Sequence, residues 1–374
     1  MHDTASEVAG VNHFKIFMDK LYCVYHMSPR NRTELHACAR ELGVQLLAIG
    51  KMLDTRWIAS SVRTIRAVWQ NYAALHAHFV RASEAQNSGR DSKERAMYAG
   101  LAKRISTHEF VGNLGTLYDA CQELSELSTE LQKRTLSLPD GHRAIARQVR
   151  VLESMIDRRG EFSAETLLAE QHNTFKGVTL HPGSKCDAKI NHKQFFRSLS
   201  TNLRTRMINV TTNDQLGMLV EDLKVLYPAN WPDDVPATYG EESIVRLARR
   251  FKVDERPAVR AFREYTSNGG RAVPGDLRSL FISSATLPVS TAECERGFSQ
   301  MNLIMTPSRN ALATPTLAAL LFIKLVGPPL GQFKPAEYVK SWLILGHHAA
   351  DDTNCMTKRD IDEVSDYQPL WSFL

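Results

Sequence analysis

The sequence is poor in the features that would place it quickly. Cysteine is scarce and scattered, six residues in 374, at positions 23, 38, 121, 186, 294 and 355, with no CxxC spacing. That pattern is expected of a chain kept reduced inside the cell rather than one stapled by disulfides. The opening MHDTASEVAG has neither a basic n-region nor an apolar h-region, so no cleaved leader is expected. Long apolar runs are missing as well. The longest, Leu317 to Val326, is broken by Lys324 and falls short of the roughly 20 residues of a spanning helix, so no membrane partner is expected. Glycine (20) and proline (15) are too few for a fibrous or low-complexity chain, and 43% apolar residues are too many for a disordered one. Charge of one sign is also lacking: 46 Lys and Arg against 41 Asp and Glu leave +5, which names no partner by itself. There is no P-loop, GxGxxG, GxSxG or Cys-His nucleophile arrangement, and no internal repeat.

What is present reads mainly at helical period. Phe14, Phe17, Met18, Leu21, Tyr22 and Tyr25 recur at steps of three and four, predicting a helix over 12–27 that ends before Ser28-Pro29. A second short helix is expected over 33–43. VQLLAIGKML follows, with one short strand expected near 44–49. Val62, Ile65, Val68, Trp69, Tyr72, Leu75 and Phe79 then form one stripe over about 60–82, and three or four more helices are expected between 92 and 162. The stretch 175–189, with two glycines and a proline, predicts an exposed loop. Helices resume over 192–207 and 214–226, with shorter ones over 241–251, 257–265 and 274–281. Length allows two or three domains at about 150 residues each.

The most informative stretch is LPVSTAECERGFSQMNLIMTPSRNALATPTLAALLFIKLVGPP. Ser290-Thr-Ala-Glu293 has capping-box spacing, which gives Glu293 a structural task at a helix start. Glu295 lies on another face, beside the apolar stripe of Phe298 and Met301; its spacing alone also fits a plain dipole role in the first turn. A second helix starts near Thr314-Pro315 and is apolar nearly all round until Gly327. A helix without a polar face has to be buried, in a core or against a partner.

These residues carry a resemblance. Pro288-Val-Ser-Thr-Ala-Glu-Cys-Glu295-Arg296-Gly-Phe298-Ser299, followed about 20 residues on by the apolar helix, resembles the C-terminal dimerisation region of hAT-family DNA transposases, and more narrowly the degenerate hAT-derived proteins of vertebrate genomes. Arg56-Trp57 is similar to the RW motif of that family. The resemblance implies a mainly α chain: a segment 1–57 following an RNase H-like core and ending at the RW motif, an all-helical insertion domain over 58–273, and a C-terminal dimerisation region over 274–374. The last would be the helical remnant of the RNase H-like fold, with that core's five strands largely absent. By residue match Glu295 corresponds to the catalytic Glu, while Arg56 and Trp57 correspond to DNA-binding positions, Trp57 stacking on an extruded base; a core tryptophan at a helix start fits Trp57 equally well. Self-association is expected through Phe298, Leu317, Leu320, Leu321, Phe322 and Leu325.

In the family two Asp complete a two-metal site, because hard cations need several carboxylates. Asp3 and the Cys23/His26 pair invite comparison with the missing acidic motifs, but Cys23 and His26 lie inside an amphipathic helix. The chain reads as starting after the second Asp, so the expectation is an inactive, dimerising relative, nuclear, with residual DNA binding and no cofactor; Mg²⁺ or Mn²⁺ would enter only if the acidic triad were completed elsewhere. The alternatives are a nuclease completed by upstream residues or a partner chain, and a transposase-derived nuclear adaptor. No BED-type finger is present. Two loose sets, Cys23/His26/His36/Cys38 and His181/Cys186/His192, lack convincing zinc geometry, so no metal is expected. Basic stretches (Arg143 to Arg150, Arg158-Arg159, Arg246 to Lys252) read either as solvated helix faces or as a DNA-tracking surface.

Overall fold

The computed structural model describes residues 7–8, 10–52, 57–84, 89–184, 188–209 and 215–344. The chain is mainly helical and divides into two compact units between Thr291 and Ala292.

The first unit begins with α1 (Val11–His26) and α2 (Pro29–Glu41), then runs through α3 (Trp57–Ser83), α4 (Ser92–Ile105), α5 (His108–Leu131), α6 (Leu138–Ser154) and α7 (Glu161–His172). A hairpin of β1 (Thr174–Phe175) and β2 (Val178–Thr179) follows, then α8 (His192–Arg204), α9 (Gln215–Lys224), α10 (Glu241–Phe251), α11 (Glu255–Ser267) and α12 (Gly275–Ala285). Side-chain caps set many of the starts. Ser28, Asp91, Thr107, Ser137 and Asn191 each accept an amide hydrogen bond three residues on, satisfying one of the donors a first turn leaves open. Ser28 with Pro29 at the first helical position starts α2 earlier than the expected 33, since proline gives up no hydrogen bond there.

The main core gathers Phe14, Met18 and Leu21 of α1, Ile65, Tyr72, Leu75 and Phe79 of α3, Leu114 and Cys121 of α5, and Phe195 and Phe196 of α8. Each such side chain contributes about 1.5–3 kcal/mol on burial. The stripe expected on α3 is therefore the stripe that is buried. A second core in the same unit packs Leu223, Leu226, Ile244, Leu247, Phe262, Tyr265, Leu277 and Leu280 from α9 to α12. Trp231 stands against Phe262 and Tyr265 and donates its indole N–H to the Val225 carbonyl at 2.7 Å.

Two expectations need correction. No ladder forms over 44–52; instead the Asn71 carboxamide of α3 takes both main-chain groups of Leu47. Asn113 of α5 does the same for the segment before α8, donating to the Ala188 carbonyl and accepting from the Ile190 amide. The loop expected over 175–189 instead starts inside a hairpin, where Lys176 and Gly177, both at positive φ, make the two-residue turn that suits strand twist. Leu180 and Ile190 are buried. Residues 185–187, with Cys186, lie outside the described residues.

The second unit contains α13 (Ala292–Ile304), α14 (Thr314–Val326) and α15 (Pro335–Ile344). Thr314 and Pro315 open α14 as expected, and Gly327 closes it with its amide on the Ile323 carbonyl. None of these three helices has a buried residue.

Candidate self-association surface

In the second unit α13 packs on α14, with Gly297 facing Leu325, so that a Cβ at Gly297 would meet the Leu325 methyl at 3.9 Å, an ordinary contact. The rest of the apolar surface points outward. On α14, Leu317, Leu320 and Leu321 are half-buried, while Phe322 is 44% and Ile323 62% exposed. On α13 Phe298 is 61% exposed. Lys324 is the single charge of α14. Contiguous exposed apolar area of this kind is rare on an isolated soluble domain and marks an association surface.

The structure thus places Phe298, Leu317, Leu320, Leu321, Phe322 and Leu325 on two helices of one unit. It also adds residues not named from the sequence: Val339, Trp342, Leu343 and Ile344 of α15 are all exposed. Their signal was the apolar spacing within PAEYVKSWLI, which is too short to stand out next to α14.

Glu295 is exposed in the first turn of α13, and its main-chain carbonyl accepts from the Ser299 hydroxyl at 2.9 Å. Glu293 pairs with Arg296 across one turn. The Ser290 hydroxyl donates to the Leu131 carbonyl at 2.9 Å, and helical structure begins at Ala292. Among the described residues no group of three or more His, Cys, Asp or Glu is placed to hold a metal ion. Among the described residues Glu295 therefore has no set of carboxylates around it that fits a two-metal centre. Trp57 is the first residue of the α3 backbone; its side chain and Arg56 lie outside the described residues.

Within the basic stretches Arg143, Arg147, Arg246 and Arg249 are met by acids. Arg143 pairs with Asp140 and donates to Asn230, and Arg147 pairs with Glu130. Arg246 grips Asp222 with two nitrogens, and Arg249 does the same with Glu255. Side-chain hydrogen bonds to these carboxylates hold the Arg246 and Arg249 guanidinium groups more firmly protonated than usual. No helix among the described residues is long and apolar enough to cross a membrane.

A mainly helical chain in which α13, α14 and α15 present apolar side chains to solvent has, in those helices, a candidate surface for self-association. Residues 276–325, from the start of α12 to the end of α14, match the family model of the hAT family C-terminal dimerisation region. Over that region the chain is similar to hAT-family transposases, which supports an hAT-transposase-related protein and suggests a dimerisation module there. No solved structure matches it.

Proposed function

We propose that the chain works as a homodimer, a catalytically inactive relative of hAT transposases that keeps residual DNA binding in the nucleus. The observation that carries this is the absence of any buried residue in α13, α14 and α15, within and next to the matched dimerisation region. A second copy would remove Phe322, Ile323 and Phe298 from water, and apolar area buried at about 25 cal/mol per Å² is the main drive for such association.

The proposal includes the domain plan: 1–57 as the segment after an RNase H-like core, 58–273 as the helical insertion, and α13 as the late helix of that core. Inactivity is supported by chemistry, since two-metal catalysis needs several carboxylates and Glu295 supplies one. The DNA role rests on the family match and on Arg56 and Trp57.

Light scattering at micromolar concentration tests the dimer. A dimeric mass that falls to the monomer in Leu321→Asp is expected, and a monomeric wild-type chain refutes the proposal. Incubation with Mg²⁺ or Mn²⁺ and nicked DNA tests inactivity; cleavage that vanishes in Glu295→Gln would overturn it. Residual DNA binding is checked by titrating labelled duplex DNA at rising salt, where phosphate contacts give a steep loss of affinity.

A further inference from the structure

Residues 44–52 take neither helix nor ladder, yet their main chain is held in a definite way. The Leu47 amide donates to Asn71 Oδ1 at 2.9 Å, and the Leu47 carbonyl accepts from Asn71 Nδ2 at 2.7 Å. One carboxamide can meet both groups of a single residue only when that residue is extended, because only then do its N–H and C=O point to the same edge. The pairs on either side, at Leu46 and Ala48, then point to the opposite edge. Among the described residues, neither Leu46 nor Ala48 has a hydrogen bond. The Gly50 carbonyl accepts from Thr64 Oγ1 at 2.9 Å, so the unpaired stretch ends before it. Residues 46–48 thus form a short extended piece fastened to α3 through Leu47, with the main-chain groups of Leu46 and Ala48 unpaired among the described residues.

A groove borders this piece. Leu35, Leu46 and Ile49 give it an apolar floor, and His26, Arg32 and His36, all exposed, form its rim with no carboxylate among the lining residues. The neighbouring acids are engaged elsewhere: Glu34 with Arg30 and Arg90, and Glu41 with Arg81. Arg32 has no ion pair among the described residues.

We propose that this edge is a docking site for an extended acidic peptide of a partner protein, added as a second strand. Leu46 and Ala48 supply two donor and acceptor pairs two residues apart, the spacing at which an added strand pairs. The apolar floor takes alternate side chains of the peptide, and Arg32 on the rim selects a carboxylate among the others. The site is built from residues of the first unit and the proposed self-association from residues of the second, so each is tested by its own variants.

The test uses the full chain and a fluorescein-labelled peptide of alternating Val and Glu, read by anisotropy. The comparators are the Val/Lys peptide and the Val/Glu peptide N-methylated at every residue, which cannot donate a main-chain hydrogen bond. The Val/Glu peptide is expected to bind at least about tenfold tighter than either comparator, and Arg32→Glu is expected to cost about tenfold. Amide exchange at Leu46 and Ala48 should slow in the complex, while Arg278→Glu, on α12, leaves binding unchanged. Equal binding of the methylated peptide, no binding up to about 1 mM, or no added protection at Leu46 and Ala48 would each overturn the proposal. So would a fall in oligomeric mass on Arg32→Glu, which would assign the edge to a second copy.

Discussion

The Asp119 carboxylate sits where a side chain on Gly160 would have to be: a Cβ there would lie 2.5 Å from the Asp119 carboxyl carbon. Asp119, buried in the middle of α5, accepts the amides of Phe162 at 3.0 Å and Ser163 at 2.9 Å, and so caps α7 from another helix. The cap residue of α7 is Gly160, which has no side chain to do this. A carboxylate at a helix N-terminus also meets the positive end of the dipole.

Gly160→Ala and Asp119→Ala are each expected to destabilise the first unit by about 1–3 kcal/mol, the first by displacing the carboxylate and the second by orphaning two amides. Because both damage one contact, the double variant should lose less than the sum. Urea denaturation of the three variants measures this, and additive losses would show that the two residues act separately.

A second expectation concerns pH. Tyr25 and Glu34 meet on the two nitrogens of His78, at 2.8 and 3.1 Å. An ionised Glu34 can only accept, so His78 Nε2 carries the proton and Nδ1 accepts from the Tyr25 hydroxyl. Burial lowers the His78 pKa below its usual value despite the Glu34 partner. Burial would push Glu34 up, but hydrogen bonds from Arg90, Arg30 and His78 prevail and hold it at about 2. Both shifts have the same sign for stability. The unfolded chain protonates His78 below about pH 6.5 and Glu34 below about pH 4.5, while the folded chain resists both. Stability should therefore fall as pH drops below about 6.5, and again between the unfolded carboxyl value and about 2. His78→Gln should flatten the first part of that decline in denaturant midpoints between pH 7 and 5; His76, His142 and His192, also lowered by burial, keep it from vanishing.

Asn71 offers a sharper chemical discrimination. Asn71→Asp keeps the shape and the acceptor for Leu47 N–H but loses the donor for its carbonyl. It is expected to cost at least as much as Asn71→Ala, about 1–3 kcal/mol in thermal or urea unfolding. An Asp variant as stable as wild type would mean that the carbonyl contact contributes nothing.

For the second unit, Ile323→Asp should weaken self-association by more than tenfold, since it sets a charge in the most exposed apolar position of α14; one desolvated carboxylate costs several kcal/mol. Lys324→Glu should change little. Raising the salt concentration should leave the dimer intact, because apolar burial is not screened. Sedimentation at low and high salt separates these outcomes, and a dimer that dissociates in salt would point to ionic contacts instead.

The long helices were legible because their apolar positions repeat at the helical period and the core uses that same stripe, as Ile65, Tyr72 and Phe79 do on α3. The dimerisation region was legible from the apolar run of α14 and the residues before Phe298, and the family match covers both. Contacts made by lone polar side chains over long separations were not. Asp119 capping α7 and Asn71 holding Leu47 have no periodic signature, so a strand was expected near 44–49 where the pairing partner is in fact one carboxamide. The hairpin at 174–179 was hidden because its strands are two residues each, below any pattern length. Lys176 also takes positive φ, where lysine is uncommon; its amine donates to the Trp69 carbonyl at 2.7 Å and lies over the Trp69 ring.

The lack of buried residues in α13 to α15 has a consequence for how much protein a cell must hold. In the proposed dimer these helices would find their core in a second copy and draw their stability from mass action, so the free energy of the second unit should rise with the logarithm of chain concentration. The first unit, with buried cores of its own, should melt at a temperature independent of dilution. The second should unfold earlier as the sample is diluted, which makes abundance itself a structural variable for this chain.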